Sequence, residues 1–422
     1  MPGTNYQSEL KQPPQPTARL ALWSLVLLLC LPILMPLLLA LVSVLMSLVW
    51  SNDAHAQAFA LPRSLQHQLA ADASTPPAKA KPTTPLTDQE LWDSYLQPQA
   101  QWPALASLAT ADIAALPPPP AQDPAQVALG RQLFHDPGLS SDGKVSCASC
   151  HKAELAFADS RRISPGVEGR LGKRNAPTLL DVHLWHDLFW DNRSPSLEHQ
   201  ALQPLLDPQE MASSAAHAEQ YVQQSSVYPD NLTWVDIAAA LSAFQRSLTA
   251  YNAAVDDHDG ASNNRLDRFL HALAEGEYDV ARATLSTQEL RGLHLFRTQA
   301  GCVRCHSGPL LSDQQLHVTG FHYYGRKYED LGAYEHTGQL AHLGAFRTPT
   351  LRHVSSTGPW FHQGILPHLR GVIRQYAAGG PRPKRPPQLP WVQPYPVTSD
   401  LLIPFSLSSA EEDAIIAFLH ML

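Results

Sequence analysis

The sequence has little cysteine, no excess of positive charge and little of the alternating pattern that predicts strands. Only five of its 422 residues are cysteine. Its 30 basic residues are outnumbered by 38 acidic ones, for a formal net charge of -8. Without a basic stripe, this balance argues against a nucleic-acid partner. Because apolar residues recur mostly at steps of three and four, the fold is predicted to be mainly helical.

Four of the five cysteines lie in two short C-x-x-C-H motifs, which are Cys147, Cys150, His151 and Cys302, Cys305, His306. In such a motif the thiols can bond to haem vinyl groups while the imidazole ligates the iron. A redox dithiol is expected beside a βαβ pattern, and a zinc site needs four ligands at matched spacing. Neither is present. The motifs therefore predict two covalently bound c-type haems.

The N-terminal region contains a long apolar run. Residues 20–50 carry no charge, and they exceed the ~20 residues that a membrane-spanning helix needs. Arg19 precedes the run and the next basic residue is Arg63, so residues 1–19 are predicted to be a cytoplasmic tail. A small-residue site ending at Ala56 leaves a cleaved signal open, which would release a soluble periplasmic protein. We favour a retained anchor in the inner membrane.

The next stretch, residues 51–122, is rich in Ala, Pro, Gln and Ser, which predicts a semi-rigid spacer with one short helix near residues 87–96. Globular composition begins at Asp123, an N-cap followed by Pro124 at the first helical position. Capping boxes that start at Ser286 and Ser408 predict two later helices.

Short segments recur in the two halves of the globular part. Gly130 opens a stretch before the first motif that Gly292 repeats before the second, and the block at 174–179 is echoed at 347–351. The simplest interpretation is an internal duplication. It predicts two cytochrome-c-like haem domains, at residues 123–255 and 256–422.

Together the two motifs, the blocks at 174–178, 189–191 and 357–364, Gln200 and Glu210 resemble the bacterial di-haem cytochrome c peroxidase and MauG family. The resemblance covers about residues 123–422. It implies that the haem at His151 reacts with peroxide, that Glu210 is the acid and base there, and that Gln200 lines the same pocket. Trp190 is then implied to relay electrons between the haems.

The resemblance also implies a bridging calcium ion. Asn175, Thr357 and Pro359 match positions that supply its oxygen ligands, which suit this hard cation.

Two departures from the peroxidase pattern bear on the subtype. Residues 152–174 contain no His or Met, and the position of the usual capping His falls near Val167, so the first haem is expected to be open. At the second haem Tyr376 stands where the peroxidases place Met and MauG places Tyr. The resemblance implies that Tyr376 is an iron ligand; core packing on a helix face is the alternative.

The resemblance implies an envelope di-haem peroxidase that reduces hydrogen peroxide with electrons from a small cytochrome c, a copper protein or a quinol. One alternative is a MauG-like enzyme that oxidises residues of a partner protein. Another, of a different class, is a membrane-anchored di-haem electron carrier, against which Gln200 and Glu210 argue. The oligomeric state stays open between a monomer and a homodimer.

Overall fold

The computed structural model describes residues 76–80, 85–250, 264–388 and 394–422, all within one compact unit that spans residues 69–422. The predicted tail at 1–19 and the predicted anchor at 20–50 lie outside these residues, as do the predicted cleavage site and the boundary between residues 255 and 256. Within the described ranges, no helix has both the length and the apolar character needed to cross a bilayer.

The described part of the chain is mainly helical, as predicted. Its helices in chain order are α1 (Asp88–Tyr95), α2 (Pro124–His135), α3 (Cys147–Cys150), α4 (Leu197–Leu206), α5 (Ala215–Gln224), α6 (Trp234–Ser247), α7 (Arg265–Ala274), α8 (Tyr278–Thr284), α9 (Thr287–Arg297), α10 (Tyr334–Thr337), α11 (Leu369–Ala377) and α12 (Ser409–His420). Two short strands, β1 (Leu316–His317) and β2 (Phe346–Arg347), pair antiparallel. The sheet is too small to organise the fold, so helix packing does so.

The first half is built on the contact between α2 and α6. Asp123 caps α2 through its side chain, and Pro124 takes the first helical position, as predicted. The helices approach closely at Gly130, where a Cβ would lie 1.9 Å from the carbonyl oxygen of Ala240. Phe244, one turn further along α6, is buried in the same core. Only a residue without a side chain allows this approach.

The second half repeats this arrangement with α9 and α12. The capping boxes predicted at Ser286 and Ser408 are present at the starts of these two helices. Here a Cβ on Gly292 would lie 2.1 Å from the carbonyl oxygen of Ala414. The two halves therefore use the same close helix contact in two separate cores.

The prediction of a spacer through residue 122 is wrong for residues 88–116. The short helix that was predicted there is α1, and its Leu91, Trp92 and Tyr95 are buried. Trp102 and Ile113 are buried beyond it, in the core that contains α9 and α12. Proline and alanine dominate this composition, but burial of the few large apolar side chains stabilises the segment by roughly 25 cal/mol per Å².

Polar contacts fix the same segment to the second half. Arg297 on α9 is buried and forms a bidentate ion pair with Asp112, with N–O distances of 2.8 and 2.5 Å. Arg304, inside the second C-x-x-C-H motif, donates to the carbonyl of Ser107 at 2.8 Å. The segment at 88–116 is thus part of the wall around the second motif.

Candidate active site

The first C-x-x-C-H motif begins with a single helical turn. Because α3 covers Cys147–Cys150, the two thiols lie three positions apart on one side of the turn. His151 follows, and its Nδ1 lies 2.9 Å from the carbonyl oxygen of Phe157. A carbonyl only accepts, so Nδ1 donates and the neutral ring keeps a bare Nε2. That is the form of histidine that ligates a metal.

The second motif has the same proximal arrangement. A 3-10 turn at Cys302–Arg304 leads into Cys305 and His306. Nδ1 of His306 donates to the carbonyl of Leu311 at 2.9 Å. Its Nε2 is therefore also the free nitrogen.

The side chains of both motifs fit covalently bound haem. Burial raises the pKa of the Cys147 and Cys302 thiols to about 12. All four cysteines of the motifs are free thiols. Each motif thus offers two sulfurs for vinyl groups and one imidazole nitrogen for iron, which is the donor set of haem c.

One other group of metal-ligand type occurs in the described ranges. Ligand atoms of Cys305, Asp313 and His317 lie within 4.8 Å of one another, and His317 Nε2 is 2.8 Å from Asp313 Oδ2. A structural zinc site requires a fourth ligand. Because Cys305 belongs to a complete haem motif with Cys302 and His306, we assign it to haem attachment instead.

Glu210 lies close to the first motif. Besides burial, the charge of Glu210 raises the pKa of the Cys147 and Cys150 thiols. Desolvation, and to a lesser degree Asp207, raises the pKa of Glu210 to about 7, while Arg193 opposes this shift. The Glu210 residue as a whole is exposed at the surface. A carboxyl that titrates near neutral pH can take up a proton and return it.

Two segments position Glu210. It follows α4, and its N–H donates to the carbonyl of Asp207 in the turn after that helix. Its own carbonyl accepts from the N–H of Val167, which is buried and has no side-chain ligand atom. Gln200 lies half-buried on α4, and its side chain forms no hydrogen bond with the described residues. The contacts described therefore place Glu210 near the first motif, whereas none of them links the Gln200 side chain to it.

Trp190 is held by both halves of the molecule. Its indole N–H donates to the carbonyl of Asn175 at 2.9 Å, and its carbonyl accepts from the N–H of Arg347 at 2.7 Å. Its ring lies edge-on to His362, with 6.3 Å between ring centres, and it lines the cavity around His306. An aromatic ring in this place suits an electron relay between the two motifs.

The cavity beside the second motif is largely apolar. Cys302, Cys305, His306 and Tyr376 all line it. Burial, and then the nearby Cys305 and Cys302, raise the pKa of Tyr376 well above its usual range. Tyr376 and His306 thus share one cavity, as an iron ligand at this position would require.

The three residues implied as calcium ligands also line this cavity. The Nδ2 of Asn175 donates to the carbonyls of Arg161 and Arg162, which leaves Oδ1 as its ligand atom. Pro359 follows a cis peptide bond from Gly358, and Thr357 is the residue before Gly358.

A charge network missed by the sequence analysis lies beside Trp190. Arg174 donates to Asp191 at 2.5 Å and to both carboxylate oxygens of Asp330 at 2.8 Å. Arg193 pairs with Asp191 at 2.9 Å. The sequence offered a signal only for Arg193, which follows Asp191 by two positions; Asp330 is 156 residues from Arg174.

Comparisons with known proteins agree with this geometry. The family profile described as di-haem cytochrome c peroxidase matches residues 124–270. The chain is 31% identical over 351 residues to cytochrome-c peroxidase IdrP1 of Pseudomonas sp. strain SCT, covering 74% of this chain and 85% of that protein. It is 30% identical over 312 residues to the methylamine utilization protein MauG of Methylorubrum extorquens, covering 71% and 78%.

Among solved structures, the chain is similar to a MauG-like protein associated with microbial copper homeostasis. The TM-score is 0.61 at 29% sequence identity, over 73% of this chain and 93% of that chain. Similarity in sequence and in fold therefore point to the same group of proteins.

Proposed function

Because the chain belongs to the di-haem cytochrome c peroxidase and MauG family, we propose that it reduces hydrogen peroxide to water with electrons from an external donor. The observation that carries this proposal is the Glu210 carboxyl, which has a pKa of about 7 and lies close to the first motif. An electron carrier has no need of such a group.

Glu210 performs the proton chemistry in this proposal. Cleavage of the peroxide bond requires a proton to leave one oxygen and to reach the other, and a carboxyl with a pKa near neutrality does both. Two haems, bound at Cys147, Cys150 and His151 and at Cys302, Cys305 and His306, would supply the redox-active iron. Desolvation raises the pKa of Glu210, Asp207 adds to that rise and Arg193 opposes it, so burial and these two neighbours together set the pH at which the transfer works.

Electrons enter on the side of His306 and pass by Trp190 to the side of His151. Support for this route comes from Trp190, which is bonded to Asn175 and Arg347 and lines the cavity of the second motif. We further propose that Tyr376 is the second ligand in that cavity. A phenolate there favours ferric iron and lowers the reduction potential.

Tyr376 also supports a second candidate function, a MauG-like oxidation of a partner protein. The chain carries a Tyr where the peroxidase pattern has Met, and Val167 supplies no side-chain ligand at the first motif. An open first site beside a tyrosine-ligated second site suits oxidation over a distance as well as peroxide removal.

Three further parts of the proposal concern the surroundings of the sites. Asn175, Thr357 and Pro359 are proposed to hold a calcium ion with oxygen ligands. The matching contacts at Gly130 and Gly292 support an origin of the two haem domains by duplication, with their boundary near residues 255 and 256. The apolar run at residues 20–50 supports a periplasmic enzyme anchored to the inner membrane.

Absorption spectra of the haem-loaded full chain test the proposal. They are recorded as isolated and after addition of peroxide, with and without prior reduction. We expect a high-spin ferric signal that changes on peroxide addition without prior reduction, because Val167 leaves the first site without a capping side chain. Two low-spin haems that do not react with peroxide would instead indicate an electron carrier.

A further inference from the structure

A group of cations, four of them exposed and Arg385 half-buried, lies on this acidic protein, mostly on its second half. We call it the cationic surface, and it consists of Arg162, Arg326, Lys327, Lys384 and Arg385. Arg326 donates to the carbonyl of Lys384 at 2.7 Å, which joins two loops that are far apart in sequence. The guanidinium of Arg162 and the ammonium of Lys327 each lie 5.0 Å from the ring centre of Tyr328. Arg385 lies 5.2 Å from the ring centre of Tyr395 and follows Lys384 in the chain, so the five residues lie close together.

The charge of this surface is opposite to that of the whole chain. The protein carries a formal net charge of -8. The carboxylate of Glu329, in the same loop as Lys327, accepts a hydrogen bond from the N–H of Gly325. Five cations in one place create a local positive potential, which attracts an anionic partner and orients it during approach.

A cavity with a buried hydrogen-bond donor lies within the cationic surface. His322, Tyr324, Arg326 and Tyr395 are among its lining residues. Nδ1 of His322 accepts from the N–H of Tyr324 at 3.0 Å, so the neutral ring carries its proton on Nε2. His322 is only 1% exposed, and its Nε2 has no partner among the described residues. His322 is closed to solvent, whereas the guanidinium of Arg326, an exposed residue that lines the same cavity, suits a carboxylate.

Aromatic rings connect the cavity to the second motif. Phe321, which precedes His322, lies against Phe361 with 4.0 Å between ring centres. Phe361 lies 5.9 Å from Tyr376, which lines the cavity of His306. A protein bound at the cationic surface would therefore be separated from the second haem site by two packed rings.

We propose that the cationic surface docks an acidic electron-transfer protein, one of whose carboxylates pairs with Arg326 at the cavity. The proposal rests on the proposed function, for which it names the class of partner. An anionic membrane surface is the alternative partner, because it too is negatively charged and large enough to cover the cationic surface. The protein partner is favoured because the surface ends at the ring pair Phe321 and Phe361, which leads to a redox site.

Binding to two proteins of opposite charge tests the proposal. Reduced plastocyanin serves as the acidic probe and mitochondrial cytochrome c as the basic one. Affinity for the haem-loaded full chain is measured by calorimetry, and the association rate is measured by stopped-flow fluorescence of labelled probe protein. We expect plastocyanin to bind more tightly and to associate faster, and both advantages to fall as salt is added.

The variant Lys327→Glu/Lys384→Glu reverses two exposed charges of the surface. We expect it to slow association with plastocyanin about tenfold or more at low salt, since steering by a charged surface changes association rates by roughly 10 to 1,000-fold. The matched control is Lys144→Glu/Arg268→Glu, which makes the same change at two exposed positions elsewhere. Carbodiimide coupling should join plastocyanin carboxylates to Lys327 or Lys384.

Equal effects of the two double variants, tighter binding of the basic cytochrome, or cross-links confined to other lysines would overturn the proposal. A second result would also overturn it: Lys327→Glu/Lys384→Glu loses binding to phosphatidylglycerol vesicles but binds plastocyanin as before. That result would assign the surface to a membrane. Peroxide reduction with a small dye as electron donor does not require docking. If the unmodified chain does not reduce peroxide with the dye, the proposed function is refuted, and the docking result stands by itself.

Discussion

The segments around His151 and His306 hold the imidazole in the same way but differ in the titratable side chain that lies near it. Each imidazole donates from Nδ1 to a backbone carbonyl 2.9 Å away, that of Phe157 in the first half and of Leu311 in the second. Each motif also lies in a half whose core contains one close helix contact made through a glycine. The shared parts are those that hold a haem.

The difference lies in the titratable side chain near each motif. Near the first motif it is the Glu210 carboxyl, whose pKa desolvation raises to about 7. Beside the second it is the phenol of Tyr376, whose pKa burial raises well above its usual range. A carboxyl with a pKa near 7 exchanges protons readily. A buried phenol loses its proton only when a strong cation such as iron binds its oxygen. One scaffold can therefore serve proton-coupled chemistry in one half and electron storage in the other.

The largest expected effect concerns Glu210, near the first motif. Glu210→Gln should lower the rate of peroxide reduction by roughly 100 to 10,000-fold, the usual contribution of a positioned acid and base. The measurement is steady-state turnover with a dye as electron donor. Spectra of the second haem should stay unchanged, because Glu210 lies near the first motif.

Glu154→Gln is the matched control, since Glu154 is an exposed carboxylate in the same half. Its turnover should equal that of the unmodified chain. If the two variants behave alike, Glu210 is not the acid and base.

A second prediction concerns Tyr376 alone. Tyr376→Met should raise the reduction potential of the second haem by roughly 100 mV, because axial ligands set haem potentials over a range of about 0.8 V. Spectroelectrochemical titration measures both haems in one experiment. Tyr376→Phe should change the spectrum of the second haem and leave the first as it is. Unchanged spectra in both variants would show that Tyr376 only packs in the core.

The two glycine contacts allow the shared scaffold to be tested in each half. Gly130→Ala and Gly292→Ala should each lower the free energy of unfolding by about 1–3 kcal/mol, the usual cost of overpacking, because the added Cβ would meet a carbonyl oxygen. Chemical denaturation provides the measurement. Gly371→Ala on α11 is the control, since no atom lies within 4 Å of its added Cβ. It should be neutral or stabilise by up to about 1 kcal/mol. Very unequal losses would argue against equivalent scaffolds.

The smallest expected effect is a shift in the pH profile of the first site. The pKa of Glu210 is about 7, so its base form accumulates, and the rate of the peroxide reaction rises, as the pH increases through about 7. Asp207 helps to raise that pKa, so Asp207→Asn should move the midpoint to lower pH by roughly half a unit. Stopped-flow rates across the pH range measure the midpoint. A midpoint that stays in place would mean that another group controls the reaction.

Sequence reasoning succeeded where the determinants are close together in the chain. The caps at Asp123, Ser286 and Ser408 are present because a cap needs only side chains and N–H groups within one turn. It failed for residues 88–116, where composition indicated a spacer. What decides their structure is a core formed mainly by residues about 200 positions later, such as Thr287, which accepts from the Trp92 indole.

By itself the sequence determined the two haem motifs, the proximal histidines and the helical character of the fold. These follow from covalent chemistry and hydrogen bonds within a few residues, so the local pattern is sufficient. Only the tertiary structure decided that Arg174 joins Asp191 to Asp330, that residues 88–116 enclose the second motif, and that cations from separate loops form one surface. Burial and charge depend on which distant residues meet in space, and no stretch of sequence specifies that alone.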